Sequence, residues 1–339
     1  MNRINCLFTF RALSLLLLFV LSTSVAHAQV YGQMKLRDSK LRFPKIKEIE
    51  FPGTADTRAT YDAIYGHGAM WESEYVGFRI YMDHRQSIDL YGKKHPQLEL
   101  DSTNFYSDAT WMARGYGEDI LYAGQSVAAG SFRGYENGQP TYINKVGARG
   151  QRIVKEGPDT VIVEVWDKDW QTNGKTLQMR QVYTMLRGHR DVQIDIYLEG
   201  ASDTDIFATG AQKLEMDNEG LINPKNIHKQ GALVASWGRN IPEKGHPELV
   251  EGVGIGVYVP KEYIKEVKED DLNYLCLIHP VKGHIRYHLA VYAWMQAENG
   301  FKDSQSWFNW LKQWSQTTKP RIRESPINKN PKNEKTKKR

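Results

Sequence analysis

The sequence predicts a mostly β fold of antiparallel strands with one short helix near the C-terminus. Three observations predict it. The chain carries 18 tyrosines, 11 phenylalanines and 9 tryptophans, residue types that suit a pleated, half-buried surface. Residues 130–198 fall into short runs, and Asp191–Leu198 alternates, with Val192, Ile194, Ile196 and Leu198 on one face. Asn137-Gly138 and Asn173-Gly174 separate pairs of these runs, and such dipeptides supply the positive φ angles of a tight hairpin.

From the start of the chain, Arg3 and Arg11 precede a leucine-rich run, Ala12–Leu21, and Ala26-His27-Ala28 matches the small-x-small cleavage pattern. Residues 1–28 therefore read as a secretory signal peptide, with a mature chain from Gln29 and the periplasm as destination. The apolar run is about ten residues, against the roughly 20 of a spanning helix, so no membrane association is expected after cleavage. Losing Arg3 and Arg11 takes the formal charge from +5 to +3, a mild excess that favours acidic partners. Cys6 leaves with the leader, so only Cys276 remains and no internal disulfide can form. Cys276 lies in an apolar run and reads as core.

Residues 29–316 are expected to form one large β-sandwich domain. In 41–51 an alternating segment limited by Pro44 and Pro52 reads as an edge strand or a wrapping arm. Residues 54–60 read as a loop. His67 follows between glycines, which suits a close approach of backbone to ligand. Residues 71–84 read as one strand with two mixed faces, Trp71, Ser73, Tyr75, Gly77, Arg79 and Tyr81 on one of them. Such a strand suits a cleft wall. Residues 87–94 read as a second short strand that carries Asp89 and ends at Lys93 and Lys94. Glycines around Glu118 and Asp119 suggest a binding loop, and the ending that a phosphate loop requires is absent.

After the β-rich stretch, 207–216, 232–240 and 253–260 read as strands, 218–230 and 240–252 as loops, and 260–271 as a short helix. The last strands are 272–279 and 284–295. Trp307, Trp310, Leu311 and Trp314 have helical spacing behind Ser304, a candidate cap. Residues 317–339 are rich in Lys, Arg, Pro and Asn and read as a disordered basic tail. Export, with no recognition helix or basic-aromatic module, speaks against nucleic acid as a partner.

The chemistry-bearing residues concentrate between His67 and Lys93. Histidine exchanges protons near neutral pH, and tyrosine does so where nearby cations favour its ionised form. Arginine or lysine can hold a carboxylate and stabilise the charge that develops when a proton alpha to it is removed. His67 or Tyr81 as base, with Arg79 or Lys93 as carboxylate clamp, makes an elimination site, and His84 is a third proton-transfer candidate. Asp89, Glu118, Asp119 and Tyr122 could add hydroxyl acceptors and a stacking ring. Glu72 with Glu118 could form the carboxylate pair of a glycosidase. A second cluster holds His279, His284, Arg286 and His288. On a strand, the His284–His288 spacing is not a zinc signature, while His279 or His288 could reach a sugar site. No cofactor is indicated, although a bound divalent metal stays compatible.

Residues 70–94 and 115–132 resemble the DUF4861 family of exported bacterial proteins. Trp71, Glu72 and Glu74 match its aromatic-Glu-Asn-Glu segment, with Ser73 at the asparagine position. Phe78, Arg79 and Tyr81 match a second segment, Ile88, Asp89 and Lys93 a third, Gly115, Gly117 and Asp119 a fourth, and Gly124 and Gly130 the last. The resemblance implies a galactose-mutarotase-like super-sandwich. It also implies a place in polysaccharide-utilisation systems, one branch being similar to dehydratases of ulvan oligosaccharides. The function expected is a hydro-lyase acting on acidic oligosaccharides that end in an unsaturated uronic acid. A polysaccharide lyase, glycoside hydrolase or epimerase for acidic sugars is the alternative, and a non-catalytic glycan-binding protein the third reading.

Overall fold

The computed structural model describes residues 30–37, 43–223, 230–240, 251–293 and 300–318. The expected leader, most of the loop expected at 240–252 and nearly all of the expected tail lie outside them. In chain order the strands are β1 (Tyr31–Leu36), β2 (Lys45–Ile46), β3 (Glu48–Pro52), β4 (Ile64–Glu72), β5 (Gly77–Tyr81), β6 (Ile88–Gly92) and β7 (Glu118–Asp119). Next come β8 (Arg133–Glu136), β9 (Gln139–Thr141), β10 (Ala148–Glu156), β11 (Thr160–Thr172), β12 (Lys175–Leu186), β13 (Asp191–Glu199) and β14 (Phe207–Gln212). The last are β15 (Met216–Ile222), β16 (Ala232–Asn240), β17 (Glu251–Val259), β18 (Ile264–Glu269), β19 (Asn273–Ile278) and β20 (His284–Ala293). Among the described residues the helices are α1 (Thr57–Ala63), α2 (Leu100–Thr103), α3 (Ala109–Ala113) and α4 (Ser304–Thr317).

The strands pair antiparallel in three sheets. One has nine strands, β15-β16-β17-β20-β13-β12-β11-β10-β3; the others run β2-β1-β4-β5-β6-β7 and β18-β19-β14-β8-β9. The main apolar core draws on all three, with Trp71 and Phe78 from the six-stranded sheet, Val163, Tyr183 and Ile194 from the nine-stranded, and Phe207 and Cys276 from the five-stranded. The rings of Trp71 and Tyr183 lie 5.2 Å apart across it. The expected antiparallel β fold with a C-terminal helix is thus present, and its large sheet is faced by two smaller ones.

Both Asn-Gly turns form as expected. Asn137 and Gly138 have φ of 52° and 82°, Asn173 and Gly174 of 50° and 72°, and they close β8–β9 and β11–β12. Segment 41–51 supplies two edge strands of different sheets, β2 and β3.

Five local expectations are corrected. Residues 57–63 form α1 rather than a loop, started by the Asp56 side chain, which accepts from Ala59 N. Part of the loop expected at 218–230 belongs to edge strand β15. The helix expected in 260–271 is instead β18, also an edge strand, whose exposed Lys265 and Glu266 mimic a helical charge pattern. Residues 71–84 are not one strand: Ser73 N donates to Val76 O at 3.1 Å, folding β4 back on β5, so Trp71 pairs with Phe78. Helix α4 is capped by Asp303, not Ser304, in a capping box with Ser306.

Candidate active site

In the β5–β6 pair Arg79 stands opposite Asp89. Tyr81, two residues on, shares the face of Arg79. The alternate residues Phe78, Ile80, Ile88 and Leu90 lie in the core. This hairpin therefore gives its apolar face to the sandwich and its polar face to the outside of the six-stranded sheet. A small second core of Met70, Tyr91, Leu100 and Phe105 covers part of that polar face.

Arg79 is 1% exposed. Its Nη2 donates to the Tyr81 hydroxyl at 2.9 Å, to Asp119 Oδ2 at 2.9 Å and to Asp89 Oδ2. Its Nη1 donates to the Tyr106 hydroxyl at 2.6 Å, and the Phe105 ring lies 4.1 Å from the guanidinium carbon. Tyr81 Oη donates to Asp89 Oδ2 at 2.7 Å. One cation thus faces two carboxylates. Burial and the charge of Asp89 push the Asp119 carboxyl well above its usual range, although Arg79 pulls it down. Of the two aspartates, Asp119 has the side chain that reaches solvent, 22% exposed against 1% for Asp89. Burial likewise drives the Tyr81 phenol well above its usual value; Arg79 opposes this, but the aspartates reinforce it. The expectation of an ionised tyrosine base is therefore corrected, since Tyr81 stays a neutral hydroxyl.

His67 reaches this cluster through an irregularity in β4. Gln33 pairs with Met70 and Lys35 with Tyr65, so β1 spends only Met34 where β4 spends residues 66–69. This bulge re-aims the side chain, a role bulges often serve near active sites. Gly66 has φ 79° and His67 has φ 68°, a left-handed conformation uncommon for a residue with a Cβ. A Cβ on Gly68 would lie 1.8 Å from the Ile80 carbonyl oxygen. The glycine bracket therefore serves backbone packing within the sheet, not a backbone approach to ligand.

The His67 ring stacks on Tyr61, centroids 3.8 Å apart, and lies 6.5 Å from Tyr81 and 6.1 Å from Tyr106. Its Nδ1 sits 3.0 Å from the Tyr61 carbonyl oxygen. A carbonyl can only accept, so Nδ1 carries the hydrogen, and Nε2 of the neutral ring holds the lone pair. Burial lowers the pKa of His67, as do Arg79 and Arg37, outweighing the Tyr61 carbonyl and Asp62. Arg85 completes the group: its guanidinium carbon lies 5.2 Å from the Tyr61 ring and 5.0 Å from the Tyr81 ring. Its side chain is 35% exposed and pairs with Asp83. Arg133 holds this loop in place, donating to the Arg85 carbonyl at 2.7 Å and to Ser87 Oγ at 2.8 Å.

A profile of the family described as "Domain of unknown function (DUF4861)" matches residues 18–323. The chain belongs to the DUF4861 family. Among solved structures, a crystal structure of a "putative aldose 1-epimerase" from Klebsiella pneumoniae overlaps 89% of this DUF4861 chain and 100% of its own, at 10% identity and a TM-score of 0.38. At that score and identity the likeness carries no argument about activity. A comparison with curated proteins returned no match.

Other expected site residues of this DUF4861 chain lie elsewhere. Lys93 and Glu72 are both fully buried and paired with each other. Lys93 Nζ also donates to the Ser73 and Gln97 carbonyls, at 2.5 Å and 2.8 Å, and Glu72 accepts from the amides of Glu99 and Leu100. Neither can clamp a substrate, and Glu72 cannot serve in a glycosidase pair with Glu118. Arg79 is also unsuited as a clamp, because two internal carboxylates already engage it. Glu118 neighbours Asp119 on β7, so its side chain takes the opposite face. Tyr122 is 43% exposed and joins none of the described contacts of the cluster.

His84 meets Tyr142 edge-on at 5.5 Å and lines a separate cavity of about 220 Å³ with Thr57, Lys145 and Arg149. His279 lies beyond the end of β19, its Nδ1 3.1 Å from the Pro280 carbonyl oxygen. His288 is buried on the face covered by α4, with Trp314 6.5 Å away. The residues brought together are thus His67, Arg79, Tyr81, Asp89 and Asp119. Tyr61, Tyr106 and Arg85 join them without having been expected as site residues. Tyr61 borders the same polar stretch and Arg85 lies within it, whereas Tyr106 carries no local signal. Among the described residues, no group of three or more His, Cys, Asp or Glu is placed to hold a metal ion.

Proposed function

We propose that this DUF4861 chain is an exported hydro-lyase that removes water from oligosaccharides ending in an unsaturated uronic acid, such as those released from ulvan. The observation that carries this reading is a base and an acid around one ring-lined group. His67 is a neutral imidazole with its lone pair on Nε2. Asp119, whose carboxyl is pushed well above its usual range, is bound to Arg79 together with Tyr81.

In this reading His67 Nε2 takes the proton that the substrate carboxylate acidifies, directly or through the conjugated double bond. The electron pair released from the C–H bond forms a new double bond, and a C–O bond breaks. Asp119 gives its proton to the leaving hydroxyl, which departs as water. Tyr81, a neutral hydroxyl whose proton goes to Asp89, accepts a hydrogen bond from a substrate hydroxyl. Arg85, partly exposed at the rim, takes the carboxylate-holding part expected of Arg79 or Lys93. Tyr61 and Tyr106 offer ring faces to the sugar.

The test is incubation of the purified protein with lyase-generated ulvan oligosaccharides, followed by mass spectrometry. Products lighter by one water are expected. Shorter chains with new reducing ends would mark a lyase or hydrolase instead, and unchanged masses across a broad panel of unsaturated uronides would reject the proposal.

A further inference from the structure

The outer face of the nine-stranded sheet carries polar residues that the site above does not use. Helix α4 covers part of this face: Trp307 packs at Gly254, Leu311 at Gly256, and Trp314 Nε1 donates to Asp191 at 3.1 Å. Asp191 begins β13, and the opposite end of β13 and β20 reaches solvent. Tyr197, Tyr263 and His279 are half-buried there, and the Arg180 side chain is 34% exposed.

Asp195 Oδ1 accepts from His284 Nε2 at 2.8 Å and from Arg286 Nε at 2.6 Å. Because the carboxylate accepts, Nε2 carries the hydrogen, and in a neutral imidazole Nδ1 then accepts from the Tyr263 hydroxyl 3.0 Å away. Asp195, His284 and Tyr263 thus form a chain that orients the phenol. Beside it the Arg180 guanidinium lies 4.1 Å from the Tyr197 ring, and that ring lies 5.0 Å from His284. Arg180 Nη1 donates to Glu164 at 3.0 Å, and Glu164 also pairs with Arg152 at 2.6 Å. A guanidinium has five N–H donors. These bonds use one donor of Arg180 and one of Arg286, leaving capacity for an anion on a face that also offers an aromatic ring and an oriented hydroxyl.

We propose that this face is a second saccharide site, taking an anionic sugar residue. Arg180 and Arg286 pair with its carboxylate or sulfate, Tyr197 contacts the ring, and Tyr263, oriented by His284 and Asp195, bonds a hydroxyl. The proposal rests on the acidic-sugar reading above but not on turnover.

The test is calorimetric titration of the mature chain with an ulvan-derived tetrasaccharide, its desulfated form, its carboxyl-reduced form and a neutral oligosaccharide. Two sites per chain are expected for the native ligand, and the sites remain two in His67→Gln. One site is expected in Arg180→Gln/Tyr263→Phe, with circular dichroism confirming a native fold. Loss of the second site on desulfation or on carboxyl reduction identifies the anion; its persistence in the neutral oligosaccharide would overturn the proposal. A single site that the Arg180→Gln/Tyr263→Phe pair leaves unchanged would also overturn it. Dehydration without this second site would leave the proposed function standing, and a second site without dehydration would do the reverse.

Discussion

At the scale of single residues, His67 owes its role to two local facts. The bulge opposite Met34 delivers its ring to the tyrosines, and the Tyr61 carbonyl selects its tautomer. A positioned general base typically contributes a factor of about 10²–10⁴ in rate. His67→Gln is accordingly expected to lower kcat at least ~100-fold with little change in KM. Steady-state kinetics on an unsaturated uronide checks this. The pH dependence follows from the shifts. Protonation of Nε2 removes the base, and burial lowers the His67 pKa, so kcat/KM should fall with decreasing pH only below 6.5, the ordinary imidazole value. Deprotonation of Asp119 removes the acid, and its pKa is raised, so activity should fall again as pH rises through that displaced value. Asp119→Asn should lose the alkaline limb along with most activity. An alkaline limb unchanged in Asp119→Asn would exclude this residue as the acid.

The residue scale is also where sequence reading was least even. Arg79, Tyr81, Asp89 and Asp119 stood out because charged and hydroxyl groups interleaved with glycines and rings need partners. Their partners turned out to be each other. Lys93 and Glu72 stood out for the same reason, yet they form a closed internal pair. A one-dimensional pattern cannot separate a buried ion pair from a ligand clamp, because both need opposite charges brought close by the fold. Tyr106 was illegible because its position depends on where the segment after α2 crosses the sheet.

At the scale of elements, the Glu72–Lys93 pair ties the end of β4 to the start of α2 and to the segment after β6. Removing one partner of a buried pair leaves an uncompensated charge and typically costs about 3–5 kcal/mol. Lys93→Met should therefore destabilise the protein by roughly that amount, and Glu72→Gln/Lys93→Met should recover part of the loss. Chemical denaturation of the two variants measures both. A loss of stability below ~1 kcal/mol in Lys93→Met would show that the pair does not brace this region. Hairpins were legible wherever turn chemistry is local, as at Asn137-Gly138 and Asn173-Gly174. Edge strands β15 and β18 were not, because a strand exposed along one edge tolerates polar residues at any spacing. Helix α1 is too short to show a period, and only Asp56 marks its start.

At the scale of the molecule, one core runs through all three sheets. That continuity predicts a single cooperative unfolding transition for the domain expected at 29–316, and differential scanning calorimetry should record one peak. Two separable transitions would divide the domain. The antiparallel β class was legible because aromatic content, short alternating runs and hairpin dipeptides agree. The way the six- and five-stranded sheets share the core-facing side of the nine-stranded one was not, since it depends on pairings between distant strands such as β13–β20 and β14–β19. Export is proposed on the leader pattern alone, and N-terminal sequencing of the protein recovered from the periplasm should begin at Gln29.

The most direct test of the central claim compares the mature protein and its His67→Gln variant on lyase-generated ulvan oligosaccharides by mass spectrometry over time. The wild type should convert the unsaturated species to products lighter by one water, and the folded variant should leave them nearly intact. Equal water loss by both proteins would contradict the assignment of His67, and water loss by neither would contradict the proposed reaction.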